Sequence, residues 1–245
     1  MNEDEAFIRA IVDSPGDDTS RLVYADWLDD RSDPRGTYLR AEREAVVTGD
    51  ISRLKELAVG LDPVWVARVS LPPVGVCCDG LSWMERGELA TREDVAQFEA
   101  RFGITLPPAY RGFLLNYNGG VIELDPWHTP SGIEYRSSCE FHSLAKTMQD
   151  DPCRSLEYEF EFTRNSLFHE TPRGDERYHV RAVDHMIIGR CPGFPAWVFL
   201  KFAGECPGRI RSLNIFSGLG AERPLEPVRF GSLQEYLAFL CDYRV

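Results

Sequence analysis

Residues 91–120 read Thr-Arg-Glu-Asp-Val-Ala-Gln-Phe-Glu-Ala-Arg-Phe-Gly-Ile-Thr-Leu-Pro-Pro-Ala-Tyr-Arg-Gly-Phe-Leu-Leu-Asn-Tyr-Asn-Gly-Gly, two helix patterns in succession closed by a turn. Thr91-x-x-Asp94 is a capping-box-like start: the hydroxyl can accept from the backbone three residues on, and the acid can reach back. Val95, Phe98 and Phe102 then fall on one helical face, and Gly103 follows at a position that favours a left-handed residue. Leu106-Pro107-Pro108 opens the next helix, because proline in the first turn sacrifices no hydrogen bond. Tyr110, Phe113, Leu114 and Tyr117 make its apolar stripe, and Asn118-Gly119-Gly120 ends it.

Beyond that turn the chain reads as strands. Leu156 to Phe162 alternates apolar and acidic residues, the period of a half-exposed strand. In that reading Tyr158, Phe160 and Phe162 face the core, and Glu157, Glu159 and Glu161 project together toward solvent. Met186 to Gly189, Ala196 to Phe202 and Arg209 to Phe216 are further strands, the last two joined by a hairpin turn over Gly204 to Gly208. Ser232-x-x-Glu235 caps a closing helix that buries Leu233, Tyr236, Leu237 and Leu240.

Working back from residue 91, Leu71-Pro-Pro-Val-Gly75 and Asp79-Gly80 break any helix. They set an expected boundary between a unit at 1–80 and a second at 81–245. The first unit reads as short helices. One carries Phe7, Ala10 and Ile11 on a face. A second, capped by Thr19 or Ser20, carries Leu22, Tyr24, Ala25, Trp27 and Leu28. A third follows Pro34 with Tyr38, Leu39, Ala45 and Val46, and a short fourth covers Ile51 to Val59.

The whole chain has 245 residues, 43% hydrophobic and 27% charged, enough to bury a core without disulfides or metals. Its seven cysteines are an odd, scattered set with Cys77 and Cys78 adjacent, which suggests free thiols. The start Met1-Asn2-Glu3-Asp4-Glu5 has no basic or apolar leader, and apolar runs such as Ala196 to Leu200 are too short to span a bilayer. The expectation is a cytoplasmic protein. The net charge is −12, with 9 basic and 16 acidic residues up to Gly80 and 18 and 23 after it. Such a chain is poorly suited to neutralising phosphates, so neither a nucleic acid nor a membrane is expected as partner. Acidity suits a basic protein partner, and it also keeps a protein soluble.

Two resemblances add to this reading. Asp17-Asp18, then Arg21-Leu-Val-Tyr-Ala-Asp-Trp-Leu-Asp-Asp30, Arg31-Ser-Asp-Pro-Arg-Gly36 and Leu39-Arg40 resemble the bacterial repeat-companion domain, a short helical module. The likeness covers roughly residues 3 to 45. Phe98-Glu99, Phe102-Gly103, Leu106-Pro107, Tyr110-Arg111, Phe113-Leu114 and Asn118-Gly119-Gly120 resemble the opening of a SUKH domain of the Smi/Knr type. Ile187-Ile188-Gly189 and Phe230-Gly-Ser-Leu-Gln-Glu-Tyr-Leu237 resemble later elements of it, while the resemblance assigns no individual residues in Val121 to His185, as suits a family with variable surfaces. This resemblance implies an α+β fold, a largely antiparallel sheet packed with helices, over roughly 88–242. It also implies a function through protein contact: bacterial SUKH proteins are mostly immunity proteins that bind a cognate toxin, and fungal ones act in regulation.

Candidate sites follow from chemistry. The row Glu157, Glu159, Glu161 would suit the Lys and Arg residues of a basic toxin domain, or would simply be a solvated strand face guarded against aggregation. Asp125 and Trp127, with His128, read as a loop after the Asn-Gly-Gly turn; Trp127 is either an exposed interface anchor or a ring stacked over the sheet. Cys139-x-x-His142 with Cys153 lacks a second ligand pair for zinc, and Asp26, Asp29, Asp30 and Asp33 lack the calcium-loop pattern. No metal or cofactor is expected. There is no nucleophile elbow, phosphate loop or His-Glu-x-x-His, and the histidines at 128, 142, 169, 179 and 185 could form a dyad only if the fold assembled one. The SUKH resemblance, together with the acidic balance, implies non-enzymatic toxin neutralisation as the expected function, with a regulatory adaptor or scaffold as the alternative, and the oligomeric state is open.

Overall fold

A computed structural model describes residues 3–86, 88–128, 134–144, 155–165, 183–191, 196–214 and 228–242; for 125–128, 134–137, 191, 196, 212–214, 228 and 242 it describes the backbone alone. Five helices come first: α1 (Glu3–Asp13), α2 (Asp18–Asp29), α3 (Arg35–Thr48), α4 (Ser52–Leu57) and α5 (Pro63–Val69). Then follow β1 (Ser82–Glu85), α6 (Arg92–Phe102), α7 (Pro108–Tyr117), β2 (Gly120–His128), β3 (Glu134–Phe141), α8 (Leu156–Asn165), β4 (His185–Cys191), β5 (Ala196–Lys201), β6 (Ile210–Asn214), β7 (Val228–Phe230) and α9 (Leu233–Asp242). The described strands form one seven-stranded antiparallel sheet in the order β1 to β7. The fold is α+β, with the helical segment ahead of the sheet. Among the described residues no helix is long and apolar enough to cross a membrane.

The helix pair read from residues 91–120 is present with its caps. Thr91 and Asp94 exchange the two capping-box bonds, and Gly103 closes α6 at φ 64°. Pro108 starts α7, and Asn118 ends it in the left-handed region. The Asn-Gly-Gly turn earns its residues structurally. The Asn118 amide donates to the Glu88 and Leu144 carbonyls and accepts from the Leu144 N–H, at 2.6, 3.3 and 2.9 Å. At Gly120, φ 124°, a Cβ would strike the Glu85 carbonyl oxygen at 2.4 Å. Phe113 and Tyr236 both pack on Phe141, so α7 and α9 cover the same face of the sheet.

Several sequence expectations need correction. Asp17, not Thr19 or Ser20, caps α2, its carboxylate accepting from Thr19 N–H at 2.8 Å. Ala10 and Val46 are exposed, the buried positions of α1 being Ile8, Ile11 and Val12. α5 was not anticipated, although Asp62-Pro63 supplies an N-cap and an N1 proline. The segment Leu71 to Glu88, where helix was expected to break, holds strand β1 and, among its described residues, no helix. Residues 156–162, read as a strand, are helix α8. The strand expected to reach Phe216 is described as far as Asn214.

The distinctive Leu-Val-Tyr-Ala-Asp-Trp-Leu run builds the interior of the helical segment. The buried Tyr24 hydroxyl donates to Asp4 at 2.5 Å and accepts from Trp65 Nε1 and Arg35 at 3.2 Å each. Burial raises its phenol above the ordinary range. Arg21 lies 3.5 Å from Glu42, both buried, and reaches the Val69 carbonyl and Cys77 Sγ. Glu42 in turn accepts from the Leu71 N–H at 2.7 Å. This pair clamps the segment after α5 against α2 and α3.

Side chains also pack across the expected boundary at 80. Arg68, 1% exposed, donates from Nε to Asn116 Oδ1 at 2.9 Å and from its two terminal nitrogens to Glu5 at 2.8 and 2.6 Å. Asn116 returns a bond to the Arg68 carbonyl, and Arg9 donates to the Leu115 and Asn116 carbonyls. Gly112 lets α7 approach α5: a Cβ there would sit 3.1 Å from that of Ala67. One continuous apolar core includes Ile8, Tyr24, Trp65, Val76, Phe113 and Leu200.

Two predictions follow from these contacts. Arg68→Ala leaves Asn116 and Glu5 without their cation and should cost about 3 kcal/mol in urea unfolding; Arg68→Lys should not restore it, because a point charge cannot serve three acceptors in a plane. A loss below ~1 kcal/mol would contradict the tie. Burial raises the Glu42 carboxyl to about 7 against 4.5 in a free chain, despite the opposing pull of Arg21. Between those values the folded protein keeps a proton that the unfolded chain has released, so stability falls as pH rises from 4.5 to about 7. Glu42→Gln should flatten that slope in denaturation curves taken across the range.

Candidate functional site

Helix α8 carries the three carboxylates that the sequence pattern placed in a row. The strict alternation of Leu156 to Phe162 hides a second period. Leu156, Glu159, Phe160 and Thr163 are the buried positions, spaced i, i+3, i+4, i+7. Ser155 begins the helix, its hydroxyl accepting from the Tyr158 N–H at 3.3 Å. Glu157 and Glu159 in the first turn and Arg164 in the last complement the helix dipole. These end signals were available in the sequence and outweigh the alternation.

The change of element rearranges the site. Glu157 and Glu161, four residues apart, share one helix face, and Arg101 of α6 bonds both, to Glu161 at 2.8 Å. Glu159 turns inward and is 8% exposed. The open row of three negative charges is therefore replaced by two carboxylates bridged by one guanidinium, with a local balance of −1. Arg101 also lies over the Phe102 ring at 5.0 Å. Asp125 and Trp127 lie in strand β2, not in a loop, with Trp127 opposite Tyr135 just past a bulge. Their side chains, and those of His128, are outside the described set.

What the helix displays instead is aromatic. Phe160 points inward against Phe102 at 4.7 Å, Phe202 at 5.8 Å and Phe98 at 5.9 Å. Tyr158 and Phe162, assigned to the core by the strand reading, are 43% and 38% exposed and stack on each other at 6.3 Å. Phe162 also meets Trp197 of β5 at 6.1 Å. Rings held in this way expose a large rigid surface and lose little side-chain freedom when covered. Clefts flank the helix. One of 340 Å³ is lined by Thr91, Asp94, Arg101, Asn118 and Glu157; the other, of 530 Å³, by Phe102, Ile104, Phe160, Arg164 and Phe202.

The metal readings gain no support from geometry. Cys139 Sγ lies 3.3 Å from the Tyr236 hydroxyl within the core, His142 is buried, and Cys153 is outside the described residues. Among the described residues no three His, Cys, Asp or Glu come together as metal ligands. Asp26 and Asp29 pair with Arg40, and Asp33 with Arg35. Cys77 is buried, and its thiol is pushed up to about 12, which keeps it protonated. His169 and His179 lie outside the described residues.

Since Phe160 fixes which face of α8 looks outward, Phe160→Ala should cost about 3–5 kcal/mol in thermal or urea unfolding, while Arg101→Ala, at an exposed pair, should cost less than about 1 kcal/mol. Equal effects would contradict the division into an inner and an outer face.

With this geometry in place the chain was compared with known proteins. No curated protein and no solved structure matches it. Residues 89–194, the span from just before α6 to just after β4, which includes α8, match the SMI1 / KNR4 family (SUKH-1).

Proposed function

We propose that the protein is a binding module that neutralises a bacterial toxin by direct one-to-one contact in the cytoplasm, with the outer face of α8 as its anchor. The observation that carries this reading is the stacked, exposed pair Tyr158 and Phe162 beside Trp197. Aromatic side chains held rigid on a helix are what protein interfaces use as central anchors. The match of residues 89–194 to the SUKH-1 family supports the same direction, because SUKH domains are commonly immunity proteins or related protein-binding modules. The protein then acts stoichiometrically, not as an enzyme.

Charge shapes the encounter. A net −12 draws a basic toxin domain by long-range attraction, while Glu157 and Glu161 remain as rim acceptors that Arg101 holds in place. Apolar contact with Tyr158 and Phe162 supplies most of the affinity. A second reading, a regulatory adaptor, is favoured by Val46 and Val47 at the end of α3 and Val59 after α4, apolar side chains exposed on the helical segment.

The test is affinity capture from the native host with the full chain as bait, beside the double variant Tyr158→Ala/Phe162→Ala. Two anchors of about 2 kcal/mol each predict at least a hundredfold loss of affinity for the captured protein, with unfolding weakened by only about 1 kcal/mol because the stacked pair lies at the surface. Capture of one toxin whose lethality the wild type suppresses and the variant does not would support neutralisation. Undiminished capture by the variant would remove α8 from the account, and capture of several host regulatory proteins would favour the adaptor.

A further inference from the structure

Cys77 and Cys78 are neighbours in sequence but reach different parts of the molecule. Backbone bonds fix the stretch that carries them. Val76 N–H donates to the Ala67 carbonyl at 2.8 Å, Cys77 N–H to the Ser70 carbonyl at 2.9 Å, and Cys78 N–H to the Tyr117 hydroxyl at 2.9 Å. On this frame Cys77 Sγ turns to the front helices, where it meets the Ile11 carbonyl and the Arg21 guanidinium. Cys78 Sγ lies 3.4 Å from the Val76 carbonyl, and its side chain is hydrogen-bonded to that of Cys241 in α9. Cys78 is 5% exposed, and Cys241 is half-buried.

The packing of α9 independently brings these two thiols together. Gln234 Nε2 reaches the Val74 carbonyl at 3.5 Å. Cys241 follows Gln234 by two helical turns, so both stand on one face of α9. Seven helical residues rise about 10.5 Å, and four residues of extended chain, the step from Val74 to Cys78, reach at most about 14 Å. The helix therefore runs alongside the segment, its first turn beside Val74 and its last beside Cys78. Cys241 packs on the same continuous core that contains Cys78, Leu237 and Leu240. A disulfide needs its two side chains already close on backbones that do not have to move far, and this pair meets that condition.

We propose that Cys78 and Cys241 form a redox latch, closed to a disulfide by a low-molecular-weight disulfide and opened again by thiols. The half-buried Cys241 is the point of entry. Its thiolate attacks one sulfur of the oxidant RSSR, giving a mixed disulfide and RS⁻, which takes up the proton that left Cys241. Cys78 then gives up its proton and attacks Cys241 Sγ, and the second RS⁻ leaves and is protonated. Two thiols lose two electrons in all, and one RSSR becomes two RSH. The Cys241 side chain and burial both hold the Cys78 thiol well above its ordinary value, so Cys78 resolves the mixed disulfide and does not start the reaction. The ring closed by the bond encloses residues 89–194, the whole span matched to the SUKH-1 family, with α8 inside it. The bond also ties the last helix to the segment that Arg21 and Glu42 clamp onto α2 and α3. Closing so long a loop restricts the unfolded chain, so the oxidised protein is the more stable form.

The test incubates the full chain with oxidised glutathione, blocks remaining thiols with N-ethylmaleimide, and maps disulfides by mass spectrometry of a non-reduced digest. A peptide pair joining Cys78 to Cys241 is expected, retained in Cys77→Ser and lost in Cys241→Ser. With it the melting temperature should rise by about 5 °C or more, and dithiothreitol should reverse the rise. Cys241→Ser, at a half-buried position, should melt as the reduced wild type does and show no rise on oxidation. Tyr158→Ala/Phe162→Ala should form the link as the wild type does, so failure of the α8 reading and failure of this one are told apart. Absence of the pair while the exposed Cys206 carries glutathione, a link from Cys241 to Cys77 in its place, or a link without the rise in melting temperature would overturn the proposal.

Discussion

A single guanidinium, that of Arg68, joins parts of the chain that sequence distance would leave independent. It binds Glu5, 63 residues before it, and Asn116, 48 residues after it. Burial alone pulls the Glu5 carboxyl upward, yet the bonds from Arg68 outweigh that and hold it below the ordinary carboxylate range. The tie cannot loosen at one end without leaving a buried donor unsatisfied at the other, which is why it fixes α1, α5 and α7 as a set. Because α7 also packs on the sheet through Phe113, the same tie determines where the helical segment sits relative to the strands. The absence of a side chain at Gly112 permits the close approach of α7 to α5.

The stretches most distinctive as sequence proved to be structural. Tyr24 and Arg21 of the front run are spent on internal bonds, and Asn118 clips two loops to the end of α7. The surface proposed for a partner comes from ordinary residues, Tyr158 and Phe162, brought together by one turn of α8. Helix α8 falls inside the family match, which ends at 194.

The caps and stripes between 91 and 120 were legible because α6 and α7 obey local rules: a capping box, a proline at N1, and left-handed residues at Gly103 and Asn118. The hairpin over Gly204 to Gly208 and the closing helix were legible for the same reason. Helix α8 was misread because an alternation of period two also contains a buried stripe at i, i+3, i+4, and only the ends of the segment distinguish the two. The charge row at 157–161 was misread with it, since a change of element sends alternate residues to different neighbours. Arg101, 56 residues from Glu157, carries no local mark of its role. The tie of Arg68 to Glu5 and Asn116 was invisible for a deeper reason: these residues become neighbours only through tertiary packing.

The central claim, that α8 presents its outer face to a protein partner, is tested most directly by site-specific photocrosslinking in the native host. A benzophenone side chain at Phe162 would be compared with one at Val59, exposed on the helical segment. The account predicts one discrete crosslinked protein from Phe162 and none from Val59. A crosslink from Val59 alone, or from neither position while the partner still co-purifies, would contradict it.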